Sequence, residues 1–142
     1  MIEVKNVFFS YKPDTKLLSG ISFSLKRGEF AALLGANGVG KSTLLKLLLG
    51  KIVPTKGACV IDGVNSKDRK KWSAIGYVPQ KISIDAQHPA KVKELVPDLS
   101  LCHKLNIDKF YDKQFKDLSG GQQQRVLVAL ALQHDPKYIL LD

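Results

Sequence analysis

At 142 residues, 44% of them hydrophobic and 25% charged, the chain has the size and make-up of one globular domain, which excludes a disordered or fibrous protein. A net charge of +9 leaves nucleic acid, anionic lipid or a phosphorylated ligand open. Against the first of these, the lysines are spread out, with one cluster at "KDRKKW" (67–72), and no basic stretch alternates with aromatics as single-strand binding requires. Apolar runs such as Val126 to Leu132 are too short to cross a bilayer, and no charged-then-apolar leader opens the chain, so neither a membrane helix nor a signal peptide is expected. Cys59 and Cys102 are far apart and suggest no disulfide framework, which fits reduced thiols in a cytoplasmic protein.

In chain order, "IEVKNVFFSY" and the alternating "GISFSL" read as antiparallel strands joined through a "KPDTK" turn. "FAALLG" (30–35), a continuous apolar run ending in glycine, is expected to be a fully buried strand. "KSTLLKLLLG" has helical character and stops at Gly50. "ACVIDG" and "IGYVPQ" are short strands. From Pro89 to about Phe115 the chain is polar and helical in pieces, with a break at Pro97. A helix starts near Ser119 and runs through "QQQRVLVALALQ", and "YILLD" is the last strand. Strands alternating with helices predict an α/β domain with a mostly parallel sheet.

Chemistry first enters at "GANGVGKST", Gly35 to Thr43, which fits G-x-x-x-x-G-K-[ST] between a strand and a helix. Gly35, Gly38 and Gly40 let the backbone curl with its N–H groups inward, Asn37 lies among them, and the helix start adds the positive end of its dipole. In a phosphate loop of this kind Lys41 neutralises β- and γ-phosphates and the Ser42 hydroxyl ligates Mg²⁺. A glycine-rich turn capping an ordinary helix would explain the glycines. It would not explain the lysine and the hydroxyls of Ser42 and Thr43 in register.

The second motif, "LSGGQQQR", Leu118 to Arg125, resembles the signature of the ABC-type ATPases, and its order after the phosphate loop and before "YILLD" is the order of that family. Ser119 could simply cap the helix that follows. Beside the phosphate loop, the resemblance implies more: a P-loop nucleoside-triphosphatase core, an N-terminal antiparallel β subdomain and a short helical insertion. The expected parts are 1–34 and 57–63 for the β subdomain, 35–50 for loop and helix, 81–117 for a reduced helical subdomain, and 118–142 for signature helix and last strand. It further implies that Tyr11 stacks on adenine, that Gln80 reaches toward Mg²⁺ and the attacking water, and that Asp142 holds Mg²⁺ through its hydration shell. In the family a second ATP-binding subunit completes each site, so Ser119, Gly120, Gly121 and Gln122 are expected to contact the nucleotide of the partner. A transmembrane permease is the other implied partner, nucleic acid is not one, and the expected location is the inner face of the cell membrane.

"IGYVPQKISIDAQHPAKVKELV" looks most like the ATPases of zinc, manganese or iron importers. His88, His103 and His134 are scattered and suggest no metal cluster. The sequence departs from the family in two ways. Only residues 81 to 118 separate Gln80 from Ser119, short for an importer. Asp142 is also the last residue, where the family continues with a glutamate, a loop and a strand carrying a histidine; a positioned base of that kind contributes about 10²–10⁴-fold. The sequence therefore reads as the N-terminal portion of an ABC ATPase whose parent hydrolyses ATP, while the 142-residue chain is expected to bind nucleotide weakly. A non-hydrolysing nucleotide-binding module paired with a complete ATPase is the alternative, ahead of a soluble ATPase of DNA repair or translation.

Overall fold

A computed structural model describes residues 1–68, 75–80 and 90–142. The expectations for the remainder of the "KDRKKW" cluster, for His88 and for the first part of 81–117 lie outside the described residues. The chain divides into two compact units, one of 1–68 with Asp142 and one of 75–80 with 90–141.

The first unit holds a four-stranded antiparallel sheet. Its strands β1 (Ile2–Lys12), β2 (Thr15–Leu25), β3 (Lys56–Ile61) and β4 (Val64–Asn65) lie in the order β2-β1-β3-β4. The first turn is tighter than "KPDTK", because Lys12 already pairs with Thr15 around Pro13 and Asp14. At the β3–β4 turn Asp62 and Gly63 both have positive φ, 49° and 80°, as a two-residue hairpin turn demands. Alternation along β1 turns Ile2, Val4, Val7 and Phe9 inward. Helix α1 (Lys41–Leu48) buries Leu44, Leu45, Leu47 and Leu48. It ends in a left-handed glycine: Gly50 N–H donates to Leu47 O and Lys51 N–H to Lys46 O, each at 3.0 Å.

One expectation fails. Residues 30–35 form no strand, and Phe30 and Leu34 are 92% and 91% exposed. An apolar run becomes a buried strand only when other strands pair with both its edges. No described strand pairs with this one.

The second unit contains β5 (Ile75–Val78) and β6 (Tyr138–Leu141), a parallel pair in the register Ile75↔Tyr138 to Val78↔Leu141. Helices α2 (Val92–Leu95) and α3 (Leu99–Lys104) flank Pro97 as expected, and Asp98 caps α3 by accepting from Leu101 N–H at 3.2 Å. Helix α4 (Gly120–Leu132) packs on β5 so closely that a Cβ on Gly76 would lie 2.4 Å from Ala131 O. Val78, Val92, Cys102, Phe115 and Val126 belong to the buried cluster of this unit.

Cys59 is fully buried on β3, and burial pushes its thiol up to about 11. An unfolded cysteine ionises near pH 8.5, so between about 8.5 and 11 the unfolded state holds fewer protons than the folded one. Stability is therefore complete below that window and falls as pH rises through it. Native Cys59 is expected to resist iodoacetamide at pH 8.5 and to react once urea unfolds the chain, with a lower urea midpoint at pH 10 than at pH 7.5. Labelling of the native protein at the unfolded rate would contradict this.

A candidate phosphate-binding site

Residues 35–40 form a loop running into α1, whose first turn holds Lys41, Ser42 and Thr43. Gly38 and Gly40 have φ of 81° and 106°, a region that other residues enter only with strain. Gly40 also needs its missing side chain, since a Cβ there would lie 2.8 Å from Leu18 Cδ2 and 3.3 Å from Leu17 Cγ. The hairpin β1–β2 thus packs against the loop at its entry to the helix. No side chain caps α1, and its first turn carries no acid. The N–H groups at that end, with the positive end of the helix dipole, remain available to an anion.

Three side chains give the loop its chemistry. Lys41 folds back, and its Nζ donates to Gly35 O and Ala36 O, both at 2.8 Å, which holds the ammonium over the loop. Ser42 Oγ donates to Asp142 Oδ1 at 2.6 Å across 100 residues of sequence. Thr43 is buried, with its Oγ1 3.4 Å from Tyr11 Oη. Tyr11 itself is 61% exposed and stands edge-on to Phe9, with ring centroids 4.8 Å apart. Lys41, Ser42, Thr43, Tyr11 and Asp142 are therefore gathered with Gly35, Asn37, Gly38 and Gly40 in one unit.

The other expected residues belong to the second unit. Gln80 is exposed at a bend after β5. Ser119 caps α4 in a reciprocal pair: its Oγ accepts from Gln122 N–H at 3.4 Å, and its own N–H donates to Gln122 Oε1 at 2.9 Å. A Cβ on Gly120 or Gly121 would meet nothing within 4 Å, so this turn presents bare backbone.

Two contributors escaped the sequence reading. Phe9 stands edge-on to Tyr11, and the two-residue spacing on β1 was the available signal. Gln123, just past the signature glutamine, donates from Nε2 to Phe115 O at 3.1 Å and ties the start of α4 to the preceding turn; nothing local distinguished it from its neighbours.

The ABC transporter family profile matches residues 18–142. Among curated proteins, the zinc uptake system ATP-binding protein ZurA of Listeria innocua serovar 6a is 37% identical over 164 residues, covering 100% of this chain and 63% of that protein. The zinc import ATP-binding protein ZnuC of Acinetobacter baylyi is 36% identical over 151 residues, covering 100% and 54%. This chain thus spans less than two thirds of either relative. Among solved structures, cbiO1 of Clostridium perfringens, part of the ABC transporter complex cbiONQ, superposes with a TM-score of 0.82 at 30% identity, covering 99% of this chain and 64% of that one.

Proposed function

Since this chain belongs to the ABC transporter family, as an ATP-binding domain, we propose that it is the nucleotide-binding portion of a subunit whose ATP binding and hydrolysis drive transmembrane import of a metal ion. The observation that carries this reading is the 2.6 Å contact between Ser42 and Asp142. A hydroxyl at the end of a glycine-rich loop and an acid closing an apolar strand are brought together, and such an oxygen pair suits a nucleotide-borne magnesium ion.

The donor chemistry fits Mg²⁺, a hard cation that takes oxygen ligands and keeps several of its waters. Ser42 would ligate it directly and Asp142 through water; when bound, the ion would offset the charge of the phosphates. Lys41 leaves two backbone carbonyls to neutralise the β- and γ-phosphates, the better acceptors. The free N–H groups at the start of α1 bind phosphate oxygens, and Tyr11 stacks on the base. Gln80 orients the attacking water. Ser119, Gly120, Gly121 and Gln122 contact the nucleotide held by a second copy; the bare backbone at both glycines supports such an approach. Because this chain spans less than two thirds of the length of those relatives, hydrolysis is ascribed to the whole protein and nucleotide binding to this chain.

Metal import is supported by the relatives named for zinc, and a permease partner by the transporter complex to which cbiO1 belongs. No helix among the described residues is long and apolar enough to cross a membrane. The permease partner would hold the protein at the inner face of the membrane.

The Mg²⁺ dependence of ATP binding tests the site. Ser42→Ala and Asp142→Asn are each expected to remove about tenfold of the affinity measured with Mg²⁺ and to change little in EDTA. Equal losses in both conditions would mean that the pair is structural only.

A further inference from the structure

We infer that Phe9 is a positioning residue for the nucleotide base: with Thr43 it presets the Tyr11 ring over the phosphate loop, so that base affinity depends on a side chain that touches neither base nor phosphate. The inference deepens the ATP-binding reading above and rests on it.

Tyr11 lies near the tip of the β1–β2 hairpin, 61% exposed, where an unsupported ring would turn freely. Two contacts prevent that. Phe9, only 8% exposed, meets the ring at an interplanar angle of 88° with centroids 4.8 Å apart, a favoured aromatic geometry. The Tyr11 hydroxyl reaches Thr43 Oγ1, 3.4 Å away on the first turn of α1. The support is itself anchored: Phe9 pairs across the hairpin with Leu18, and Leu18 fills the space that a side chain on Gly40 would need. Ring, hairpin and phosphate loop are thereby joined through Phe9, Leu18, Gly40 and Thr43. A ligand with phosphates at the loop finds a flat apolar face already set beside them. Such a face accepts a planar base by stacking and offers nothing to a base-free polyphosphate.

The test compares ATP with inorganic tripolyphosphate by titration calorimetry on the 142-residue chain. Tyr11→Ala is expected to weaken ATP binding about tenfold, and Phe9→Leu about fivefold, with tripolyphosphate affinity within twofold of wild type in both. Phe9→Tyr, which keeps a ring, should restore most of the ATP affinity. Phe9 is a core residue, so Tyr11→Phe serves as the variant that leaves the core intact; it removes only the tie to Thr43 and should cost ATP about threefold. If Tyr11→Ala leaves ATP binding unchanged, the stacking role of Tyr11 falls and this inference with it. If Tyr11→Ala weakens ATP alone while Phe9→Leu weakens both ligands equally, or neither, the inference is overturned and the ATP-binding reading stands. Should Phe9→Leu fail to fold, unchanged ATP affinity in Tyr11→Phe overturns it by itself.

Discussion

Replacing Lys41 by alanine is expected to raise the dissociation constant for ATP by about 100-fold or more. Phosphate oxygens bound in the loop would lose a flexible cation, and truncating one partner of a desolvated charge pair costs about 2–5 kcal/mol, which is about 30-fold to several thousand-fold in affinity. The fold should not suffer, because the hydrogen bonds of Lys41 Nζ among the described residues go to the loop's own carbonyls, Gly35 O and Ala36 O. Lys46→Ala is the matched control: it removes the same charge from the exposed side of the same helix, and ATP should bind it as it binds wild type. Titration calorimetry at two salt concentrations separates a specific phosphate contact from the general field of a +9 chain. Losses within threefold of one another in the two variants would remove Lys41 from the site.

The second large effect concerns the sheet that carries Tyr11. Gly57→Ala is expected to lower stability by about 4 kcal/mol. Asn6 and Val7 on β1 bulge opposite Gly57, in the register gap between Lys5↔Ala58 and Phe8↔Lys56. The bulge brings two backbone carbonyls onto the glycine, so that a Cβ would lie 2.2 Å from Asn6 O and 2.4 Å from Lys5 O. Gly57 also has φ of 82°, where alanine is strained. Gly63 has φ of 80° with open space around it, so Gly63→Ala isolates the backbone strain from the collision. Urea denaturation should show a loss for Gly57→Ala exceeding that for Gly63→Ala by at least about 1 kcal/mol. Equal losses would mean that β1 can give way at the bulge.

Much of the architecture was legible in residue order. The hairpin of β1 and β2, the α1 stop at Gly50, the break at Pro97 and the Ser119 cap are each decided within a few residues, by alternation, a left-handed glycine, a missing N–H or a side-chain acceptor. Apolarity was a poorer guide at 30–35. It says that a segment can be buried, whereas burial of a strand requires paired edges, and no described strand supplies them. The bulge that makes Gly57 irreplaceable was invisible for a similar reason, since it depends on which residues of β1 oppose β3.

The sequence alone determined the residue types and spacing of the candidate phosphate loop. Glycines at 35, 38 and 40, then Lys41, Ser42 and Thr43, fall within nine consecutive residues, and their geometry follows from backbone freedom and helix initiation over that short span. Only the tertiary structure decided what surrounds the loop. Asp142 meets Ser42 across 100 residues, and Tyr11 meets Thr43 across 32. Leu18 stands where a side chain on Gly40 would otherwise lie. Contacts at such separations need the hairpin and the strand before Asp142 folded into place, because loop closure over that distance is repaid only by the packing of whole elements.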